Sequence, residues 1–445
     1  MSKSSSMLLY WQFMLAFCTL LLPSHVNAKE DFNTWLESIR LEAKALGMSD
    51  ETTLNFVSRT VYLPNVIKLD RMQPEFVSPF LDYFAQRVDD KKVQKGRDLM
   101  LKHEALLNKI ETQYGVPKQI LIAFWGMETQ YGRVQGNLDV LSALATLAYE
   151  GRRADFFKSQ LLDALLMVNL GYVDTETFKG SWAGAFGNMQ FMPTTFMLYA
   201  VDGDDDGTID VVNSLPDAFT SAANYLAKIG WKAQVPVMME VKIPASFDWQ
   251  NAQLAVKKTP QAWAKLGVEV YPLPSDEFLL GSSSDAMADN VNQVTTRTDD
   301  KVKLEGMDIA KYAPLSNVFL NDTMQASILL PQGWQGPAFM VFDNFEMIMQ
   351  WNRSVNYALS VAQLAKLLNQ EPGILGGDFA EGGALTNQQM QDLQNRLNVR
   401  GFNAGLPDGL PGLQTQAAIR AYQEQQQMPV DGYASPSLYQ SVMLH

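Results

Sequence analysis

The stretch that decides the fold covers residues 120–132 and reads Ile-Leu-Ile-Ala-Phe-Trp-Gly-Met-Glu-Thr-Gln-Tyr-Gly. Its first part, from Ile120 to Met127, contains no charged residue and predicts a helix too apolar to face water. Pro117 follows the breaker Gly115 and is expected as the first helical residue. Glu128 comes at the end of this apolar helix, so its carboxyl group is the first candidate functional group.

A carboxyl group at the end of such a helix loses hydration, which penalises its charged form and raises its pKa. A general acid that works near neutral pH needs this shift, because it must still hold a proton to give to a leaving oxygen. The local sequence equally allows a buried glutamate that pairs with Arg133 or caps a turn. Both interpretations stay open at this level.

The pattern on either side is mainly α-helical. Apolar residues recur at three- and four-residue intervals from Asp31 to about Trp231, which predicts helices over segments 98–114, 117–128, 153–170 and 217–230. β-branched alternation at 235–243, 268–273 and 327–330 then predicts a small β-rich insertion at about 233–342. Within it, residues 281–301 are polar and predict a surface loop. The helical pattern resumes from Asn344 to Leu368.

A glycine-rich linker at 373–384 leads to a compact tail at 385–445. The tail's first helix opens with Thr386 three residues before Gln389, the spacing of a capping box. Two Asp-Gly turns, 408–409 and 431–432, give the tail a weak internal pseudo-repeat. We therefore expect residues 29–372 to form one large domain and the tail to form a second.

Composition limits the class of protein. The 445 residues are 47% hydrophobic and 19% charged, as in ordinary globular proteins. A net charge of −13 argues against nucleic acid and against an anionic membrane surface, since both reward basic patches.

The first 28 residues predict export. Lys3 precedes an apolar run from Met7 to Leu22, and Val26-Asn27-Ala28 offers the small residues that a signal peptidase needs. The alternative is an uncleaved membrane anchor, although the run is short for a span. Cys18, the only cysteine, lies inside this run, so the mature chain excludes disulfides and cysteine nucleophiles. We expect a soluble periplasmic protein without a stable anchor.

Several further motifs occur in order along the chain. The segment 181–193 reads Ser-Trp-Ala-Gly-Ala-Phe-Gly-Asn-Met-Gln-Phe-Met-Pro, where glycines let backbone come close to a ligand. The same order includes 70–75, 126–132, 141–147, 152–153, 223–226 and 351–354. Together these segments resemble the membrane-bound lytic transglycosylase B family of murein-cleaving enzymes, over about residues 31–370.

The resemblance implies a lysozyme-like helical core around a saccharide groove, with Glu128 as the single catalytic acid and base. It implies that four residues hold the sugars or the reacting N-acetyl group: Ser181, Gln190, Tyr225 and Asn352. Tyr83 matches a further groove aromatic. The chain departs from the family at Trp351, where tyrosine is frequent, and this predicts that a hydroxyl contact is lost.

The implied reaction cleaves the β-1,4 bond between N-acetylmuramic acid and N-acetylglucosamine and closes a 1,6-anhydro ring, without a cofactor. Ordinary glycosidases need two carboxylates, and the sugar-binding motifs contain no second one. Hydrolysis by water, as in a muramidase, is the close alternative. A murein-binding scaffold without activity is the third interpretation.

The acidic segment 202–210 matches most of the calcium-loop template. The expected ligands are Asp202, Asp204, Asp206, Thr208, Asp210 and, reaching back, Asp217. Asn213 stands where the template has its bidentate glutamate, so a solvated acidic turn remains the alternative. A bound Ca²⁺ ion would be structural.

The tail resembles the three-helix peptidoglycan-binding domain in its glycines, its apolar positions and both Asp-Gly turns. The resemblance implies peptidoglycan strands as the partner of the whole chain, which we expect to be monomeric. A tethered binding module raises the local concentration of substrate at the catalytic domain. The alternative is a fold retained without cell-wall affinity.

Overall fold

The computed structural model describes residues 31–71, 78–150, 153–271, 323–377 and 383–444. The predicted signal peptide and the predicted surface loop at 281–301 lie outside these residues. Within them, no helix is both long and apolar enough to cross a membrane. Three hydrophobic cores are present: one in the helical body, one in the insertion and one in the tail module.

In the described residues before the insertion, the helical body contains eleven helices and a short two-stranded ribbon. The helices are α1 Phe32–Ala45, α2 Asp50–Arg59, α3 Pro64–Arg71, α4 Phe80–Arg87, α5 Asp90–Lys102, α6 Glu104–Tyr114, α7 Lys118–Thr129, α8 Val140–Glu150, α9 Ala154–Asn169, α10 Pro193–Tyr199 and α11 Leu215–Ile229. The ribbon pairs β1 Leu138–Asp139 with β2 Lys179–Gly180 in antiparallel orientation.

Helix α7 is the apolar helix of the opening stretch, and all residues from Ile120 to Trp125 are buried. It packs against α5, α6, α11 and a later helix, α14 Val355–Leu368. Two predicted helix boundaries differ from the structure. Pro117 is the N-cap of α7 and not its first helical residue. The segment predicted as one helix over 98–114 is divided at His103, which ends α5 and precedes α6.

The insertion contains a four-stranded antiparallel sheet in the order β4-β3-β6-β5. Its strands are β3 Met238–Lys242, β4 Glu269–Val270, β5 Ala326–Leu329 and β6 Ala338–Phe342, with helix α12 Pro260–Lys265 beside them. Trp263 is fully buried on this helix and donates from its indole nitrogen to the Ala326 carbonyl at 2.8 Å. The chain then re-enters the helical body through α13 Asp343–Trp351 and α14.

The tail module consists of α15 Asn387–Val399, α16 Leu413–Gln425 and α17 Pro436–Leu444. The capping box between Thr386 and Gln389 is present, as the spacing predicted. The two halves of the pseudo-repeat share the same pattern of hydrogen bonds. Gln394 donates to Asp408 at 3.0 Å and accepts from the Gly409 amide at 2.8 Å. Gln423 makes the same pair of bonds to Asp431 at 2.7 Å and from Gly432 at 2.9 Å.

Truncation of a buried side chain of α7 should lower the stability of the helical body. Leu121 is fully buried, whereas Leu101 on α5 is 67% exposed and provides a matched control. Leu121→Ala leaves a cavity and is expected to lower the free energy of unfolding of the helical body by about 2–5 kcal/mol. Leu101→Ala should change it by about 0.5 kcal/mol or less. Urea titration followed by circular dichroism measures both, and equal effects would contradict the central place of α7.

Candidate active site

Glu128 lies in the last turn of α7. Two side chains from the C-terminal part of the helical body's sequence donate to its carboxyl group. The Trp351 indole nitrogen donates to Oε1 at 3.0 Å, and the Tyr357 hydroxyl donates to the same oxygen. Both donors are separated from Glu128 by more than 220 residues of sequence. The carboxyl group is thus oriented entirely by tertiary packing.

The position of Glu128 raises its pKa from the usual 4.5 to about 7, and burial is the main cause. The hydrogen bonds from Tyr357 and Trp351 act in the opposite direction, because they stabilise the charged form. A neutral carboxyl group carries its proton on one oxygen. Since Oε1 already accepts two hydrogen bonds, the proton belongs on Oε2, which is therefore the oxygen that can deliver it.

Each donor is fixed by its own element. Tyr357 lies in the first turn of α14, where the Ser354 hydroxyl caps the helix by accepting from the Tyr357 amide at 3.2 Å. Trp351 is the last residue of α13. Its ring packs against Phe124 with centroids 4.5 Å apart and against Phe191 at 5.4 Å. Because the Trp351 and Tyr357 side chains are held in this way, their hydrogen bonds to Glu128 are preorganised.

The segment 181–191 is tied to α7 by a buried amide. The Asn188 side-chain oxygen accepts from the Trp125 indole at 2.9 Å, and its carbonyl accepts from the Thr129 hydroxyl at 2.8 Å. Close approach requires glycine in this segment: Gly187 has φ +74°, and a Cβ there would lie 2.7 Å from the Val211 carbonyl oxygen. The glycines therefore serve packing of the segment against its neighbours.

The structure places the predicted sugar-binding residues as follows. The Gln190 amide nitrogen donates to the Gln135 and Gly187 carbonyls at 2.9 and 3.1 Å, so its amide oxygen points away from them. The Asn352 side-chain oxygen accepts from the Ser354 amide at 3.1 Å, which leaves its amide nitrogen as a donor. Tyr225 stacks near Trp351 with centroids 5.2 Å apart.

Tyr225 thus contacts Trp351, while Asn352 directly follows Trp351 in the chain and Gln190 directly precedes Phe191, whose ring packs on Trp351. Tyr83 on α4 is buried beneath the Arg87 guanidinium, 3.7 Å from the ring centroid, and lies close enough to Tyr357 to affect its hydroxyl group. Ser181 lies at the other end of the segment, where its hydroxyl accepts from the Ala185 amide at 3.1 Å. This bond holds the Ser181 hydroxyl within its own segment and does not join it to Glu128.

Trp351 was expected to lack a hydroxyl contact. Its indole N–H donates to Glu128 instead, and the Tyr357 hydroxyl donates to the same oxygen. Arg133, the alternative partner of Glu128, donates instead to the Gln130 side chain. Sequence reasoning missed the roles of Tyr357 and Asn188. The one available signal for Tyr357 was its place three residues after a helix-capping serine.

The acidic loop brings together three of its predicted ligands. Carboxylate oxygens of Asp202, Asp204 and Asp217 all lie within 4.8 Å of one another. Asp217 is buried on α11, and its pKa is raised by burial and by the negative charges of the other two. A cluster of three carboxylates with these properties suits a hard cation that prefers oxygen ligands.

The remaining predicted ligands point elsewhere. The Asp206 carboxylate accepts from the Thr208 amide and hydroxyl at 2.8 and 2.7 Å. The Asp210 carboxylate accepts from the amides of Val212 and Asn213. The carboxylates of Asp206 and Asp210 thus stabilise turns of the loop itself.

A largely helical body in which a glutamate at a helix end has its pKa raised by burial indicates the class of protein, and sequence comparison agrees with it. Residues 31–278 and 280–366 match the transglycosylase SLT domain family, and residues 386–441 match the putative peptidoglycan binding domain. The chain belongs to the transglycosylase SLT domain family. The resemblance and the mainly α fold predicted from the motifs are confirmed.

Three relatives illustrate the match. Membrane-bound lytic murein transglycosylase B of Escherichia coli K12 is 39% identical over 168 residues, which are 37% of this chain and 46% of the relative. The alignment thus spans about half the length of this curated relative. SltB3 from Pseudomonas aeruginosa, solved in complex with NAG-anhNAM-pentapeptide, is 36% identical with a TM-score of 0.78, over 93% of this chain and 100% of that one. Escherichia coli Slt35, solved in complex with calcium, is 27% identical with a TM-score of 0.57, over 77% and 94%.

Removal of either donor to Glu128 should raise its pKa above 7, because each bond favours the ionised form. Tyr357→Phe and Trp351→Phe keep an aromatic ring and remove the donors. Tyr199→Phe is the matched control, since Tyr199 stacks on Tyr225 and its hydroxyl is one ring further from the carboxyl group. Carbon-13 NMR titration of the Glu128 carboxyl group measures all three. An unchanged pKa in both donor variants would contradict the geometry.

Proposed function

We propose that this chain is a lytic murein transglycosylase that cleaves the β-1,4 bond between N-acetylmuramic acid and N-acetylglucosamine and forms 1,6-anhydromuramic acid. The observation that carries the proposal is Glu128, a carboxyl group whose pKa lies near 7 and whose Oε1 is held by two donors. Such a group is half protonated at neutral pH, so it can serve first as an acid and then as a base.

Glu128 acts alone in this mechanism. Only burial and the bonds from Tyr357 and Trp351 shift its pKa within the described residues, and no second carboxylate is among the causes. The second carboxylate that an ordinary glycosidase needs is also missing from the sugar-binding motifs of the sequence. The family's alternative is a substrate that stabilises its own cation through the muramic N-acetyl oxygen.

The steps follow from the donors and acceptors on the groove wall. Glu128 gives the proton on Oε2 to the glycosidic oxygen, and the bond to the muramic C1 breaks. The free amide nitrogen of Asn352 donates to the acetamido oxygen, while Gln190, Ser181 and Tyr225 position the sugars. Tyr83 is buried, so it is proposed to act through Tyr357 and not by direct sugar contact. The Glu128 carboxylate then takes the proton of the C6 hydroxyl, whose oxygen closes the ring on C1. The proton is returned, so no water is consumed.

The relatives support the anhydro product because they are lytic transglycosylases by name, and SltB3 was solved with both an anhydro-muramic and a muramic ligand. Hydrolysis by water, as in a muramidase, is the second candidate. A scaffold without activity is disfavoured by Glu128 itself, since a scaffold would have no need of a carboxyl group with a pKa near 7.

Digestion of purified murein tests the function. The wild-type protein should release muropeptides that end in anhydromuramic acid, and Glu128→Gln should lower the rate by a factor of about 10² or more. Mass spectrometry separates the outcomes, because hydrolytic products are heavier by one water. Asp205→Asn, which changes an exposed charge far from Glu128 in sequence, is the control for a general charge effect. Products heavier by one water, or no loss in Glu128→Gln, would overturn the mechanism.

We further propose the domain division expected from the sequence: a signal peptide at 1–28, a catalytic domain at 29–372 with its insertion at about 233–342, a linker at 373–384 and a binding domain at 385–445. The separate cores of the helical body, the insertion and the tail module support this division. The protein is proposed to act in the periplasm as a monomer on peptidoglycan strands.

The acidic loop is proposed to hold a structural Ca²⁺ ion through Asp202, Asp204 and Asp217. Their convergence and the raised pKa of Asp217 support the site, since a divalent cation relieves the mutual repulsion. Asp206, Thr208 and Asp210 shape the loop, and the Thr208 carbonyl is a further candidate ligand. The ion fixes the start of α11, which carries Tyr225, and no catalytic step passes through it.

Calcium should therefore stabilise the protein. At about one hundred times its dissociation constant, the gain is expected to be roughly 2.7 kcal/mol. Asp217→Asn should abolish the calcium-induced rise in melting temperature, whereas Asp205→Asn, the neighbouring acid outside the cluster, should retain it. Because protonation of Asp217 competes with the ion, the stabilisation should weaken as pH falls. Differential scanning calorimetry with and without EDTA measures this, and a calcium response in Asp217→Asn would disprove the site.

A further inference from the structure

The tail module contacts the rest of the protein through one of its two equivalent turns. The Asp431 carboxylate is buried, and its two oxygens serve different partners. Oδ1 accepts from Gln423 at 2.7 Å and from the Tyr433 amide at 2.9 Å, both within the tail module. Oδ2 accepts from the Trp334 amide at 2.9 Å, in the loop between β5 and β6. The Asp431 carboxylate thus links the tail module to the insertion.

Neighbouring contacts extend this junction. The Arg420 guanidinium donates to the Asp431 carbonyl at 3.1 Å and to the Ala252 carbonyl of the insertion at 3.3 Å. Gln250 donates to the Glu424 carboxylate at 3.1 Å. Gly333 lies directly against the turn, where a Cβ would stand 2.8 Å from Asp431 Oδ2. The tail module is therefore docked and not merely tethered.

The first turn of the pseudo-repeat provides an internal comparison. Asp408 accepts from Gln394 and from the Leu410 amide through Oδ1, as Asp431 accepts from Gln423 and Tyr433. Asp408 is exposed, and both of these bonds stay within the tail module. The shared bonds therefore maintain each turn, whereas the Oδ2 bond of Asp431 is the added feature that makes the junction.

The loop that receives Asp431 also holds α4. The Gln332 side chain is buried, and its oxygen accepts from the Leu81 amide in the first turn of α4 at 2.7 Å. Tyr433 follows the docked turn, and its pKa is raised to about 12 by burial together with Asp431 and Asp82 of α4. Helix α4 carries Tyr83 and packs against α14, the helix of Tyr357, which donates to Glu128.

We propose that the Asp431 turn is a docking contact through which the tail module braces loop 331–336 and helix α4, and so positions Tyr83 and helix α14, which carries the donor Tyr357. Asp431 is a positioning residue and touches no substrate. The functional part of the proposal rests on the transglycosylase activity proposed above. The tail module would then serve catalysis on substrates too short to reach it, in addition to any cell-wall binding.

The isosteric change Asp431→Asn tests the contact in the full-length protein. Its amide oxygen can keep the bonds to Gln423 and Tyr433, but its NH₂ group then faces the Trp334 N–H, donor against donor. Asp408→Asn is the matched control at the equivalent turn. Hydrogen exchange measured by NMR should accelerate about tenfold at the amides of Trp334 and Leu81 in Asp431→Asn. In Asp408→Asn it should be unchanged.

Turnover of a four-sugar glycan without stem peptides tests the effect on the groove. Asp431→Asn is expected to lower its kcat/KM by roughly threefold to tenfold, a range typical of coupling through packed contacts. The Asp408→Asn value should equal that of the wild type. A purely tethering module would leave turnover of this short substrate unchanged in both variants, and that result would overturn the proposal.

A second variant approaches the contact from the insertion side. Gly333→Ala places a methyl group against Asp431 and should reproduce both effects of Asp431→Asn. Gly47→Ala controls for backbone strain, because Gly47 has φ +90° and a methyl group there would meet no atom within 4 Å. Acceleration at Trp334 without acceleration at Leu81 would refute the brace. Amide exchange needs no turnover, so an inactive wild-type protein with the expected exchange pattern would refute only the proposed activity.

Discussion

Desolvation of one carboxyl group at the end of a buried helix is the constraint on which the site depends. Helix α7 is surrounded by other helices, so Glu128 emerges where water is scarce and its pKa rises to about 7. An isolated carboxylate in such a place would be costly, and the two donors to Oε1 offset part of that cost. The balance between burial and hydrogen bonding sets the proton affinity of the group.

Several polar groups around α7 are satisfied by side chains of neighbouring segments. Asn188 satisfies the Trp125 indole and the Thr129 hydroxyl, and Ser354 caps the helix that presents Tyr357. Each bond removes a buried unpaired group and simultaneously restricts the orientation of a site residue. Stability and preorganisation therefore come from the same contacts, and a single substitution here should affect both.

The tail module shows how a repeated local structure acquires different uses. Both Asp-Gly turns are stabilised by a glutamine from the preceding helix, yet it is the second turn that meets the insertion. A carboxylate has two oxygens, so one can maintain the turn while the other accepts from a separate core. The acidic loop illustrates the converse, since some of its aspartates stabilise turns while three others converge.

Sequence alone determined what depends on local pattern: the apolar helix that ends at Glu128, the capping box at Thr386, both Asp-Gly turns and the family motifs. These follow from periodicity and from residue preferences over a few positions. Tertiary structure alone decided that Trp351 and Tyr357 bond Glu128, that the carboxylates of Asp206 and Asp210 stay outside the cluster of Asp202, Asp204 and Asp217, and that Asp431 docks while Asp408 does not. Those outcomes depend on which surfaces pack together across tens to hundreds of residues, and no local pattern encodes that choice.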